Sequence, residues 1–397
     1  MTISGTQPSA GPTTLTERAL GPDLARGVML LFIAVANSHY FLLGDNGYFG
    51  GFPLGGSALD GGVAWTISTF VDGRSFPLFG FLFGYGVAHI VRRQQERGSS
   101  PKEVRRLLRR RTYVLIGVGF LHAVLLYAGD VLAAYGVLLL VGCWAVRWRD
   151  RWLLIVAAVF VLLALMPGDM SLAVTRDGPD PATALPTDLG AMVTERAVVS
   201  VYIAVIAPLG FLGPYLVGLW AGRRRILERP RDHIGLLRAV AAVGVGVAVL
   251  GAQPVALVHL GVLPIADPDT LNRLGPLHDA TGTLGGIGYA ALIALAAMHI
   301  QRSATRSGRT PGRIVRALQA CGQRSMTCYL AQSVVWTLAF TPALLGLADD
   351  LSVAGTALLA AATWASTVVL ADWMARTGRR GPFESLVRRA TYRTPSR

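Results

Sequence analysis

Long apolar runs alternate with short polar segments along this chain. Ten of the runs approach the roughly 20 apolar residues that a helix needs to cross a bilayer. They lie at 24–43, 64–91, 112–128, 131–147, 152–167, 197–220, 234–259, 281–300, 320–342 and 353–374. This pattern predicts an all-α fold, a polytopic transmembrane helix bundle of about ten spans. Residues 1–20 are rich in Ser, Thr, Pro and Gly and lack the apolar core of a secretory signal, so they read as a short disordered tail. The first run is then a retained span, and residues 21–397 form a single transmembrane domain.

Charge turns this pattern into a topology. Of 37 basic residues, 33 fall in segments that ten alternating spans put on one face, the densest being 92–111, 223–238, 302–324 and 376–397. Only Arg74, Arg176, Arg196 and Arg273 lie elsewhere, and the opposite loops collect Asp45, Asp60, Asp177, Asp188, Glu195, Asp267 and Asp349. Basic loops stay in the cytoplasm, so both termini are expected there and the chain is expected in a plasma membrane. The formal net charge of +14 is therefore mostly an orientation signal. A nucleic-acid partner is not expected, because that footprint gathers basic residues on one soluble face with aromatics between them. Only 15% of residues are charged, against about 25% in a soluble domain, which excludes a soluble enzyme. The arginine clusters suit anionic lipid headgroups, with a site for a phosphate-bearing donor as the alternative. Cys143, Cys321 and Cys328 form no CxxC pair, and no HExxH or EF-hand-like loop occurs, so no metal is expected.

Polar groups inside a membrane are costly, so they are the first places to look for function. The first span carries Arg26 near its cytoplasmic end and Asn37 and His39 near its external end. The second run is interrupted at Asp72-Gly73-Arg74 and Pro77. That reads either as a broken helix exposing backbone to a cavity, or as an external amphipathic helix ending at Gly73 and followed by a shorter span. The third and fourth runs form a hairpin turning at Ala128-Gly129-Asp130, with His122 two turns before Asp130 and Tyr135 after it. The topology puts Asn37, His39, Asp72, Arg74, His122 and Asp130 in the external half, where they are expected to share one polar pocket. The ninth run brings in Arg324, Thr327, Tyr329, Gln332 and Ser333, either as site residues or as hydrogen-bonding glue between helices.

Four segments carry a resemblance to a known family: DLARGVMLLFIAVAN (23–37), FPLFGFLFGYG (76–86), GFLHAVLLYAGDVLAAYG (119–136), and the C-terminal GQRSMTCYLAQS (322–333) with RRGPFESLVR (379–388). On these the chain resembles the YeiB-like bacterial membrane proteins, the family known as domain of unknown function 418. Thr327, Tyr329, Gln332, Ser333, Gly381, Pro382, Glu384 and Arg388 match its C-terminal pattern, while Gln323-Arg324 are shifted and Cys328 replaces an Asn. The first span is also distantly similar to that of membrane acyltransferases, in which an Arg at the cytoplasmic start is followed by a His at the far end. This chain has Arg26 but places Asn37 near that His position, and His39, two residues on, faces about 200° away.

The resemblance implies acyl transfer from a cytoplasmic thioester donor, with acyl-coenzyme A as the candidate, to an envelope glycan or lipid. His122 or His39 would be the general base, with Asp130 orienting or Asp72 assisting. Arg26, Asn37, Arg74, Tyr135, Arg324, Thr327, Tyr329, Gln332 and Ser333 would bind substrate. The alternatives are a transporter of a small solute or lipid that uses the same polar set, and an assembly partner without a site.

Overall fold

The computed structural model describes residues 19–167, 172, 174–179 and 183–392. The tail read from residues 1–20 lies, up to residue 18, outside the described residues. The first apolar run folds as α1 (Leu20–Ser38). A small antiparallel sheet follows, in which β1 (Tyr48–Phe49) pairs with β2 (Phe52–Pro53) and with β3 (Val174–Thr175) from the later external loop. The interrupted second run becomes two helices, α2 (Ala58–Phe70) and α3 (Ser75–Glu96). A capping box between Ser57 and Asp60 starts α2, and Gly73, at φ 69°, turns the chain where a side chain would be strained.

The basic segment 101–111 is helical and continuous with the third apolar run. It is the first three turns of α4 (Pro101–Leu125), started by a Ser100–Glu103 capping box with Pro101 in the first turn. The hairpin partner is α5 (Leu132–Ala145), followed by α6 (Asp150–Leu163). The long helices α7 (Leu189–Arg223), α8 (Ile234–His259) and α9 (Pro268–Arg306) come next. The external loop expected at 260–280 is thus helical from Pro268 onward, because Asp267 caps it by accepting the Thr270 N–H at 3.0 Å. The expected ninth span is split at Arg324 into α10 (Arg313–Gln323) and α11 (Ser325–Phe340). The chain ends in α12 (Val353–Arg376) and the short amphipathic α13 (Pro382–Thr391).

The protein is a helical membrane protein. Among the described residues, five segments are long and apolar enough to cross a bilayer: Leu20–Phe41 and helices α7, α8, α9 and α12. At 14, 14 and 16 residues, α5, α6 and α11 are about 21–24 Å long. That is shorter than the roughly 30 Å hydrocarbon thickness, so apolar run length alone overstated these elements.

Glycines set the closest helix approaches. A Cβ at Gly84 would run into the Tyr215 carbonyl and one at Gly218 into the Phe81 carbonyl, so α3 and α7 lie backbone against backbone. Gly27 and Gly322 do the same for α1 against α10. Tight packing on these seams leaves a wider space among α1, α3, α4, α11 and α13.

Candidate functional site

The α4–α5 hairpin builds the core of the site. Helix α4 ends where the Leu126 and Tyr127 N–H groups both bond to the His122 carbonyl at 2.8 and 3.1 Å, which leaves the His122 ring in the last turn. Asp130 follows the turn, and its Oδ2 accepts the Ala133 N–H at 2.9 Å, fixing the carboxylate at the start of α5. Gly119 permits this geometry, since a Cβ there would strike both Ala133 and the Asp130 carboxylate.

His122 Nδ1 lies 2.7 Å from Asp130 Oδ1, and both residues are buried. A carboxylate can only accept, so Nδ1 donates this hydrogen bond and Nε2 is the ring's other edge. Nε2 is buried and has no hydrogen-bond partner among the described residues. From α11, the Tyr329 hydroxyl donates to Asp130 Oδ1 at 3.5 Å, with its ring centroid 5.3 Å from that of His122.

Tyr329 also lines a cavity of about 560 Å³, within the usual range of ligand sites. The cavity follows α3 from Arg97 to Phe79, eighteen residues or about 27 Å of helix rise. Its inner wall is apolar and aromatic, with Met29, Phe79, Phe83, Leu115, Leu132 and Tyr135. Its mouth lies on the arginine-rich face, where eight arginines meet three carboxylates.

Each carboxylate is already engaged. Asp23 bonds Arg26 at 3.2 Å and Gln323 at 3.1 Å. Glu384 accepts the Met326 and Thr327 N–H groups at 2.8 and 3.1 Å and the Thr327 hydroxyl at 2.5 Å, so it caps α11 from α13. Glu228, in the loop after α7, accepts from Arg92 at 2.7 Å and Arg225 at 2.8 Å. Burial alone would raise its pKa, but bonds from His89, Arg92 and Arg225 outweigh burial and hold it down to about 2. Arg225 is held for this contact in a left-handed conformation, φ 57°.

The expected single external pocket does not form; its members separate into distinct clusters. His122 and Asp130 form the pair above. Arg74 is fully buried and ties the α2–α3 corner to α8 and α9: it donates to the Asp72 carbonyl, to the Ala248 carbonyl at 2.6 Å, and to His278 Nε2 at 2.8 Å. Asp72 enters that cluster through its backbone, so it is not placed to assist His122. His39 stacks on Phe52 at 3.7 Å, with His259 edge-on to the same ring at 4.7 Å, in an aromatic contact well suited to packing. Asn37 is buried on α1 and, among the described residues, bonds to neither histidine cluster.

Among the remaining expected binding residues, Arg26, Tyr135, Arg324 and Tyr329 line the cavity. Arg324 is buried and also donates to the Arg379 carbonyl at 2.7 Å, holding the approach to α13. Thr327 is taken up by Glu384, and Gln332 donates to the Leu30 carbonyl at 3.3 Å as a clamp from α11 to α1. The Ser333 carbonyl accepts the Thr337 hydroxyl at 2.9 Å within α11. Arg93, Arg97, Arg111, Arg225, Arg380 and Arg388, which the sequence offers as orientation signals, lipid contacts or a phosphate site without singling any out, line the mouth. The four-residue steps Arg380, Glu384, Arg388 after Gly381-Pro382 were the available sign that α13 presents one charged face.

These features define a helical membrane protein with a deep cavity, basic at its mouth and aromatic within, one of whose lining residues, Tyr329, bonds a buried His–Asp pair. Comparison with known proteins shows what it is similar to. Residues 221–394 match the family described as "Protein of unknown function (DUF418)". The chain is 25% identical over 419 aligned positions to the uncharacterized protein YxaH of Bacillus subtilis (strain 168), covering 97% of this chain and 96% of that protein. It is 33% identical over 132 positions to the uncharacterized protein YeiB of Escherichia coli (strain K12), covering 32% and 31%. The C-terminal part of the chain is thus similar to the DUF418 family, and the chain as a whole is similar to YxaH.

Proposed function

We propose that this protein is an acyltransferase of the bacterial plasma membrane, moving an acyl group from a cytoplasmic thioester donor to a hydroxyl or amine of an envelope glycan or lipid. The reading is supported by the buried His122–Asp130 pair, whose Asp130 bonds Tyr329, and by the arginine-lined cavity onto which Tyr329 opens. The arginines fit the phosphates of acyl-coenzyme A, and the wall along α3 fits a long, thin chain behind them.

His122 Nε2 takes the acceptor proton as the acceptor attacks the thioester carbonyl. A C–O or C–N bond forms, the C–S bond breaks, and the same nitrogen returns the proton to the leaving sulfur. Asp130 keeps Nδ1 protonated and steadies the imidazolium that forms midway, and the Tyr329 hydroxyl and Ala133 N–H hold Asp130 in place. In this reading the arginine-rich face is cytoplasmic and the ten apolar runs cross or enter the membrane, so donor and acceptor reach the pair from opposite sides.

Deletion followed by complementation tests this, with envelope lipids and polysaccharides compared by mass spectrometry. The expected result is an acyl decoration that disappears on deletion and returns with the wild-type gene but not with His122→Gln. Unchanged decoration on deletion would sink the reading.

A further inference from the structure

Eight arginines and three carboxylates line the cavity, and Asp23, Glu228 and Glu384 are each bound to neighbouring groups. Arg97 follows α3, Arg380 precedes α13, and Arg388 lies on it, so they approach from different parts of the chain. Converging guanidinium forks suit a phosphate better than a monoanionic carboxylate, because each offers parallel donors to several oxygens. Behind them the wall turns apolar and aromatic at Met29, Phe79 and Phe83, where a strongly hydrated anion would lose its solvation.

We propose that the cavity is a binding site for a phosphate-bearing amphiphile, its phosphate held by Arg97, Arg380 and Arg388 and its tail lying along α3 toward Tyr135. This deepens the transfer reading, on which it rests for giving the same cavity to a phosphate-bearing donor, by naming the residues that hold the phosphate. Helix α13 and the residues leading into it supply two of the three arginines while Glu384 pins that segment to the start of α11, so the headgroup site is pre-formed.

The test uses the full-length protein purified in an uncharged maltoside detergent, with binding followed by calorimetry. Three probes are titrated: dihexanoyl phosphatidic acid, dihexanoyl glycerol, which lacks the phosphate, and inorganic diphosphate as a competitor. Phosphatidic acid is expected to bind once per chain and at least about tenfold more tightly than dihexanoyl glycerol, the scale of one charge-assisted contact. Stronger binding by the lipid than by diphosphate assigns the site to a lipid headgroup; the reverse assigns it to a water-soluble phosphate compound. Either supports a phosphate site.

The Arg380→Gln, Arg388→Gln double variant should lose at least about tenfold. Arg231→Gln with Arg302→Gln, which lie in a separate shallow basic patch, should change nothing. Equal affinity for the two lipids, or equal loss in the two double variants, would overturn the proposal. His122→Gln is expected to bind phosphatidic acid as wild type does. Failure of acyl transfer with binding intact would then fall on the transfer reading alone, and loss of binding selectivity with transfer intact on this one.

Discussion

Two buried histidines in this protein have charged neighbours and opposite surroundings. His278 sits between α9 and the α2–α3 corner, with Nε2 2.8 Å from Arg74 and 3.1 Å from the Ser68 carbonyl, and Nδ1 3.4 Å from Asp279. Every polar edge of that ring meets protein. His122 is equally buried, but only its Nδ1 is held, and the Tyr329 beside it opens onto the cavity. A buried charge in a bundle therefore has two uses, and the side chain alone does not tell them apart. What distinguishes them is whether every polar edge is met by protein or one is left without a partner among the described residues.

Replacing each histidine should separate the two uses. The largest expected effect is on chemistry: His122→Gln should lower transfer by roughly 10²–10⁴-fold, the usual contribution of a general base. Its thermal midpoint should stay close to wild type. Asp130→Asn should also lower transfer, because an amide can donate to Nδ1 and stabilise the wrong tautomer, and pH–rate profiles would show it.

Arg74→Met should behave in the opposite way. It strips partners from the Asp72 and Ala248 carbonyls and from His278, a loss of about 2–4 kcal/mol in denaturant stability. The phosphate site and the His122–Asp130 pair should be left intact in the molecules that remain folded. Normal stability in the Arg74→Met variant would dissolve the distinction.

The smallest effect concerns the cavity mouth and is set by Glu228. Its folded-state value near 2 lies below the ordinary 4.5. Its bonds to Arg92 and Arg225 thus contribute fully above about pH 4.5, and that contribution fades as pH falls toward 2. Glu228→Gln should flatten the acid limb of a stability–pH curve measured in detergent. An acid limb identical to wild type would mean that these bonds add nothing.

The same contrast explains what was legible in the sequence. The hairpin was, because a Gly-Asp turn between two apolar runs leaves little freedom, and the short loop brings His122 and Asp130 together. Arg74 was visible as a charge that the loop rule did not explain, yet its partners Ala248 and His278 lie far along the chain and have no pattern of their own. Thr327 and Gln332 looked like site residues because their polarity is expensive in a membrane, but Glu384 and the Leu30 carbonyl satisfy them. The cavity mouth was hidden for a different reason. An arginine that orients a helix and one that binds an anion are the same residue in the same loop, and only the meeting of Arg97, Arg225 and Arg388 at one opening separates them.

The central claim is that the free edge of His122 does chemistry at the end of that cavity. Its most direct test supplies acetyl-coenzyme A labelled in the acetyl group to purified wild-type, His122→Gln and His278→Gln proteins in nanodiscs, together with extracted envelope lipids and glycans. The prediction is label in the acceptor fraction with wild type and with His278→Gln, and none above background with His122→Gln. Equal labelling by wild type and His122→Gln would contradict it.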